Sequence, residues 1–150
     1  MLNDLFLMPD PAQMVRVIVR IITAAALGGL LGAERQRAGK AAGTRTHMLV
    51  ALGAALFVMF PVEEGMPIGD LGRVIQGVAT GIGFVGAGTI LKREDAEEVH
   101  GLTTAASIWL TGAIGLAVGA GHLWLPIVST AVAWVILAVF GKYSRENRKG

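Results

Sequence analysis

The sequence predicts an all-α integral membrane protein that folds as a bundle of five transmembrane helices. Of its 150 residues, 53% are hydrophobic and only 16% are charged, whereas an ordinary soluble domain contains about 25% charged residues. The polar residues are also gathered into short stretches and do not recur with the period of a soluble amphipathic helix. These observations together exclude an ordinary soluble enzyme.

Five segments approach the length of about 20 mostly apolar residues that a membrane-spanning helix requires. The second is the weakest, because Pro61 closes its short apolar core and it must draw Thr46 and His47 into the interface. No soluble domain fits between the segments, so residues 1–150 are predicted to form a single transmembrane domain. The predicted spans are residues 15–33, 46–61, 74–91, 104–121 and 123–140.

The positions of the basic residues predict the orientation of this bundle. With five spans and an outside N-terminus, ten of the thirteen Lys and Arg residues fall on the inner side, and Arg16, Arg20 and Arg73 lie outside. Lys and Arg collect in the short cytoplasmic loops of membrane proteins. The sequence therefore predicts a multi-pass protein of a bacterial inner membrane, with its N-terminus outside and its C-terminus inside.

Several chemical functions leave no trace in the sequence. It contains no cysteine, and so no disulfide framework, thiolate metal site or cysteine nucleophile. Its net charge of +2 is not accompanied by basic stretches with stacking aromatic residues, so nucleic acid is not a predicted partner. His47, His100 and His122 fall at separate turns, and neither a P-loop nor a G-x-S-x-G motif occurs. We therefore predict no catalytic residues, no cofactor and no enzymatic activity.

Glycines are concentrated in the third and fourth predicted spans. The residues GIGFVG at 81–86 match G-x-G-x-x-G, but they lie inside an apolar span and not after a strand, so a dinucleotide site is rejected. Small residues four apart, such as Gly77 and Gly81, let helix backbones approach closely in a membrane. The glycines of these two faces are Gly77, Gly81, Gly83, Gly86, Gly88, Gly112, Gly115 and Gly119.

These glycine faces leave two interpretations open. In the first, spans three and four form the packed centre of the bundle, and Gly28, Gly29 and Gly32 offer a third close-packing surface. In the second, the glycines permit span three to unwind beside an ion path. The same faces predict a homodimer.

The loop AERQRAGKAAGTRTH between spans one and two is the most informative polar stretch. In one interpretation its basic residues fix the topology and contact anionic lipid. In the other, a polar cluster at the cytoplasmic face binds an ion, a lipid phosphate or a partner, since ionisable groups within a membrane are functional candidates. The predicted members of this cluster are Glu34, Arg35, Arg45, Thr46 and His47.

A second polar cluster is predicted on the outer face, with Arg20, Asp70 and Arg73 as its members. Asp70 precedes span three, where it could simply cap the helix and favour its dipole. Alternatively, Asp70 is the partner of Arg20, because a buried arginine needs a carboxylate or a route to the interface.

The segment KREDAEEVHG at 92–101 is rich in carboxylates, which bind hard cations. It lacks the spacing of an EF-hand, and mixed charge of this kind is typical of a solvated loop. We therefore predict no metal site.

Three blocks of the sequence resemble the MgtC/SapB family of bacterial inner-membrane proteins. They are LLGAERQRAGKAAGTRTHMLVALGAALF at 30–57, DLGRVIQGVATGIGFVGAGTIL at 70–91 and VHGLTTAASIWLTGAIGLAVGAG at 99–121. Together they cover most of the chain in the family's order, although Thr44 stands where the family's GLRTH motif usually has leucine. By position, the resemblance assigns as motif residues Glu34, Arg35, Gly39, Gly43, Arg45, Thr46, His47, Asp70, Arg73, Gly101, Leu102, Thr103 and Thr104.

The resemblance implies a non-enzymatic regulator or adaptor in adaptation to low magnesium or acid stress and, in pathogens, in survival inside macrophages. It implies membrane partners besides the lipid bilayer, among them ATP synthase. Many members carry a soluble domain after the last span, whereas this sequence ends in GKYSRENRKG, so that domain is expected to be absent. The alternative function is a dimeric ion or small-solute channel or transporter with a polar path beside the third span.

Overall fold

A computed structural model describes residues 10–92 and 99–141 as an almost entirely helical chain, which confirms the predicted all-α class. Two short strands between the third and fourth helices were not predicted. The elements are α1 Pro11–Arg37, α2 Thr44–Glu63, α3 Ile68–Ala87, β1 Leu91–Lys92, β2 Val99–His100, α4 Leu102–Gly119 and α5 Trp124–Val135, which continues as a π-helical turn Ile136–Phe140.

Three of the described helices, α1, α2 and α4, are long and apolar enough to cross a membrane. The helix Trp124–Phe140 is apolar but shorter. The 20-residue α3 is long enough, but it carries Asp70, Arg73 and Gln76 and is not among the three. The chain is thus a helical protein with three candidate membrane spans, and the five-span topology and its orientation stay predictions.

Helix α2 lies at the centre of the bundle, between α1 and α4. The glycines of α4 explain the close approach on one side: a Cβ atom added at Gly115 or Gly119 would lie less than 3.0 Å from backbone atoms of Ala51 or Ala55, respectively. On the other side, Gly28 and Gly32 of α1 meet α2 in the same way. Only glycine allows backbones to approach to this distance, as in small-xxx-small helix pairs.

The main hydrophobic core lies where α1, α2 and α4 meet, and it is built from small and branched side chains. Three of its members, Ala24, Leu31 and Ala51, are fully buried. Such residues fill the narrow space that the glycine contacts leave between the helices. The full set of buried core residues is Ala24, Leu27, Leu31, Ala51, Ala55, Ile114, Val118 and Ala133.

The expectation that spans three and four form the packed centre is therefore wrong for span three, whereas α4 does lie in the centre against α2. Helix α3 packs on the bundle along one side only, through apolar residues that include Val74, Val78 and Ile82. Among the described residues, no atom lies within 4 Å of a Cβ added at its glycines 77, 81 and 83, whereas Gly86 faces Ala105 and Gly112 of α4 receives the Ile82 side chain. The small face of α3 is thus mostly turned away from the rest of the chain.

The two short strands form an antiparallel hairpin in which Leu91 pairs with His100 and Lys92 pairs with Val99. Gly101 follows with a positive φ of 92°, and an added Cβ there would collide with the Thr89 carbonyl group. Glycine is required because L-residues rarely adopt this conformation. Most of the acidic segment considered for metal binding, residues 93–98, lies outside the described residues.

Candidate functional site

Three helices bring five polar side chains together beneath one end of the bundle. Arg35 is 3% exposed and His47 is fully buried, and both are surrounded by helices α1, α2 and α4. Buried polar groups of this kind are rarely placed without hydrogen bonds or ion pairs. This Arg35–His47 cluster consists of Glu34, Arg35, His47, Thr104 and Ser107.

The His47 ring links α2 to α4 through its two nitrogens. Its Nδ1 lies 2.9 Å from the Gly43 carbonyl oxygen, which can only accept, so Nδ1 carries a hydrogen and donates it. When the ring is neutral, Nε2 accepts from the Ser107 hydroxyl, 3.2 Å away. That hydroxyl also lies 2.8 Å from the Thr104 carbonyl oxygen, so one hydrogen has two acceptors within reach.

The Arg35 side chain joins α1 to the same site. Its Nη1 lies 3.7 Å from Glu34 Oε2, and its Nη2 donates to Thr104 Oγ1 over 3.4 Å. The side chains of Arg35 and Glu34 are only 4% and 13% exposed. Removing one member of a buried ion pair leaves the other charge without compensation. Each of these two residues therefore requires the other.

The structure brings together only part of the cluster that the sequence predicts. Glu34, Arg35 and His47 meet as expected, whereas Arg45 is exposed and Thr46 is half-buried on α2 outside these contacts. The cluster gains two members from α4. Thr104 belongs to the third motif, whose Leu102 and Thr103 are exposed.

Ser107 is a member of the cluster that the sequence interpretation did not assign to it. Thr104, Ser107 and Thr111 are spaced three and four residues apart, which places their hydroxyls on one helix face. All three are buried, and Thr111 Oγ1 bonds back to the Ser107 carbonyl oxygen at 2.8 Å. This spacing was the available signal for a polar face directed into the bundle.

A serine hydroxyl beside a histidine nitrogen is also the arrangement of a nucleophile and its base. Here Ser107 is 4% exposed and His47 is fully buried, so a substrate has no surface from which to reach the pair. The second ring nitrogen faces a backbone carbonyl and not a carboxylate. The geometry favours a structural role that fastens three helices together.

A second polar cluster lies at the opposite end of α1 and α2. Arg20 Nη1 forms an ion pair with Glu63 Oε1 at 3.0 Å, and Gln13 Nε2 donates to Glu63 Oε2 over 2.7 Å. Arg20 also reaches the Gly119 carbonyl oxygen at 3.5 Å. This Arg20–Glu63 cluster joins the ends of three helices, as the Arg35–His47 cluster does at the other end.

The predicted pairing of Arg20 with Asp70 is therefore wrong, because Glu63 occupies that position. Asp70 and Arg73 are both exposed on α3. The alternative assignment of Asp70 as the N-cap is also wrong, since the cap is Pro67 and Asp70 lies within the first turn. The favourable interaction of the Asp70 charge with the helix dipole remains.

The Glu63→Gln substitution is expected to lower the free energy of unfolding by about 1–2 kcal/mol, because it removes the charge that Arg20 faces in a largely buried pair. The matched control is Glu64→Gln, at the exposed carboxylate that follows Glu63 in the chain, for which the expected change is below about 0.5 kcal/mol, as at other exposed positions. Denaturant unfolding of the purified protein in detergent measures both. Equal effects of the two substitutions would contradict the assignment of Glu63 as the partner.

Metal coordination is not evident in this part of the molecule. Within residues 10–92 and 99–141, no three His, Asp or Glu side chains are grouped so as to hold a metal ion. The two clusters instead pair each charge with an opposite charge or with hydroxyl and carbonyl groups.

Comparison with known proteins gives a consistent result. The family model described as MgtC family matches residues 21–146 of this chain. Protein SrpB of Synechococcus elongatus is 44% identical, over 84% of this chain and 75% of its own length. YhiD of Escherichia coli (strain K12), named as a candidate magnesium transporter, is 42% identical, over 82% of this chain and 60% of its own length. Protein MgtC of Salmonella typhimurium (strain LT2) is 36% identical, over 83% and 52%, respectively.

The chain therefore spans between about half and three quarters of the length of these relatives. No solved structure matches the chain.

Proposed function

The chain belongs to the MgtC family, and from this premise we propose that it is a non-enzymatic regulator of the bacterial inner membrane in adaptation to low magnesium or acid stress. It crosses the membrane five times and acts by contacting other membrane proteins. One of its relatives, YhiD, supports the link to magnesium through its name. The choice of a regulator over a transporter rests on the packing of the interior.

The closed contact of α2 with α1 and α4 is the observation that carries this proposal. A path between the Arg20–Glu63 cluster and the Arg35–His47 cluster would have to pass Ala51, Ala55 and Val118, which are fully buried and apolar. An ion crossing a membrane needs polar or hydrated surroundings along its route. Apolar residues packed at backbone-contact distance supply neither, so the interior favours a protein that does not conduct.

Contact with a partner is assigned to the basic residues near the Arg35–His47 cluster. Arg37, Lys40 and Arg45 are all exposed, on the last turn of α1, the loop and the first turn of α2. The two helices are held together beneath them by the close approach of Gly32 to Thr44 and by the Thr44 N–H, which donates to Gln36 Oε1 over 3.3 Å. The three charges therefore lie on two helices that are fixed relative to each other. This surface suits an acidic region of a cytoplasmic-facing partner, and ATP synthase is the candidate that the family resemblance supplies.

A dimeric conductor remains the second candidate, and one feature favours it. Helix α3 exposes Gln76 and Thr80 together with Gly77 and Gly81, so a polar surface is available outside the closed interior. A path along it would require α3 of another subunit as its second wall. Helix α3 is not apolar enough to be among the candidate spans. Water can therefore lie along α3 more easily than along the other described helices.

Ion flux into sealed vesicles separates the two functions. The full chain is reconstituted in liposomes that contain a pH-sensitive or magnesium-sensitive dye, and an ionophore provides the positive control. The proposal predicts a leak no greater than that of protein-free vesicles at neutral and acidic pH. Flux that Gln76→Leu abolishes, with the protein still folded, would contradict the regulator and support the conductor.

A further inference from the structure

The outward face of α3 carries a regular seam of exposed residues. Their spacing alternates between three and four residues over nearly the whole helix, which is the spacing of two helices that pack side by side. Every member is exposed in this chain. The seam consists of Asp70, Arg73, Gly77, Thr80, Phe84 and Ala87.

This seam differs from the other exposed surfaces of the bundle. The outward faces of α1, α2 and α5 carry large apolar residues such as Ile22, Phe60 and Val132, as expected of helices in contact with lipid. The seam instead combines charged, hydroxyl and small residues with a single large apolar side chain, Phe84, which is 82% exposed. Small and polar residues are typical of helix–helix interfaces in membranes.

Gln76 supplies an independent reason why this face is covered. In the five-span bundle proposed above, Gln76 lies beside the seam near the middle of the 20-residue α3, where a spanning helix is deepest in the membrane. Its side chain is exposed, and within the described part of the chain its amide takes part in no hydrogen bond. An amide in hydrocarbon is costly unless it finds a partner, and a primary amide, with donors and an acceptor, can pair with its own copy.

The α3 seam of one copy is complementary in charge and shape to the same seam of a second copy. In a membrane, two copies insert with the same orientation, so a two-fold axis places their α3 helices parallel. Asp70 and Arg73 lie one turn apart, so the long Arg73 side chain of each copy can reach Asp70 of the other. These two cross-pairs offset the repulsion between the like charges that face each other across the two-fold axis. Phe84 projects as a knob beside a groove of about 300 Å³ between α3 and α4, whose lining includes Gly83 and Ala87 of α3 and Trp109 of α4.

We propose that a second copy of this chain covers the α3 seam, forming a parallel two-fold dimer in which Phe84 enters the space above the second copy's Gly83 and Ala87. In parallel knobs-into-holes packing, the hole that receives Phe84 is formed by Thr80, Gly83, Phe84 and Ala87 of the facing helix. Three of these four are small. The dimer explains why α3 is less apolar than its neighbours, and it holds for a regulator and for a conductor alike.

Cysteine cross-linking of the full chain in its membrane tests this dimer. The sequence contains no cysteine, so each single substitution reports only on itself. Thr80→Cys and Ala87→Cys, both on the seam, are expected to form disulfide-linked dimers under mild oxidation, because facing residues there come within disulfide distance. The matched control is Val85→Cys, which is exposed on the same helix but off the seam, and its yield is expected to be about tenfold lower.

A second variant separates a specific interface from collisions. In the Thr80→Cys protein, Phe84→Ala is expected to lower the dimer yield about tenfold, the effect of removing an aromatic anchor from an interface. Phe57→Ala, which removes an exposed aromatic side chain from α2, is expected to leave the yield unchanged. Equal yields at Thr80 and Val85, no change with Phe84→Ala, or cross-linking only to a different protein would each overturn the proposal. The flux assay in vesicles tests conduction independently of this cross-linking assay. If it contradicts the proposed regulator, the evidence for the dimer is unaffected.

Discussion

Adding a single methyl group at Gly115 is expected to destabilise the folded protein by about 3 kcal/mol, the upper range for overpacking a tight core. The Cβ atom of a Gly115→Ala variant would lie against the carbonyl oxygen, carbonyl carbon and Cα atom of Ala51, all closer than 3.0 Å. Backbone atoms cannot move aside as a flexible side chain can. Helix α4 would therefore have to separate from α2, with loss of contacts along both helices. Thermal or denaturant unfolding in detergent measures the change.

Gly53→Ala provides the matched control, because Gly53 lies on α2 and has no atom within 4 Å of an added Cβ. An alanine in an open helical position is more favourable than glycine by about 0.5–1 kcal/mol, so this variant is expected to be at least as stable as the unsubstituted protein. Similar stabilities for Gly115→Ala and Gly53→Ala would show that α2 and α4 are not in backbone contact.

The second large effect is expected at Arg35. Arg35→Ala should lower the free energy of unfolding by about 3–5 kcal/mol, because breaking a buried ion pair leaves the other charge uncompensated. Glu34 Oε2 is buried and accepts no hydrogen bond in the described part of the chain, so its ion pair with Arg35 is its compensation. The Thr104 hydroxyl loses a donor at the same time. Denaturant unfolding again provides the measurement.

Two further variants distinguish the buried pair from a general loss of positive charge. Arg45→Ala removes an exposed arginine nearby and is expected to change stability by less than about 0.5 kcal/mol. Glu34→Gln combined with Arg35→Met removes both charges and should recover a substantial part of the loss, because neither charge is then left alone. If the double variant were less stable than Arg35→Ala, the ion pair would not be the cause of the effect.

The existence of the helices could be read from the sequence, whereas their arrangement could not. A sequence shows how long and how apolar a segment is, and the short apolar core closed by Pro61 made residues 46–61 the weakest predicted span. The same segment is central in the structure because Ala51, Ala54 and Ala55 are small enough for two neighbouring helices to approach. The sequence interpretation treated Pro61 as the closing residue of this span, but the helix continues past Pro61 to Glu63.

The glycines illustrate the same limit. Gly77 and Gly81 share the small-xxx-small spacing of Gly115 and Gly119, yet the first pair faces open space and the second faces α2. Spacing indicates that a face is capable of close packing, but the neighbour depends on the tertiary arrangement.

Glu63 could have been predicted from the sequence as the partner of Arg20. Helices α1 and α2 are joined by the short segment 38–43, and short connections place helices antiparallel and adjacent. The end of α2, with Glu63, must then lie near the start of α1. Asp70 was chosen for its charge, but it lies on the next helix, where it is exposed.

Water access to Val118 tests whether the interior between the two clusters is closed. Val118 is fully buried where α1, α2 and α4 meet, and a Val118→Cys variant would carry the only thiol in the chain. In sealed vesicles, a small charged thiol reagent is expected to leave this cysteine unmodified while it rapidly labels His122→Cys at the exposed turn after α4. Labelling of both cysteines at comparable rates, in protein that remains folded, would reveal a hydrated path through the bundle and contradict the closed interior.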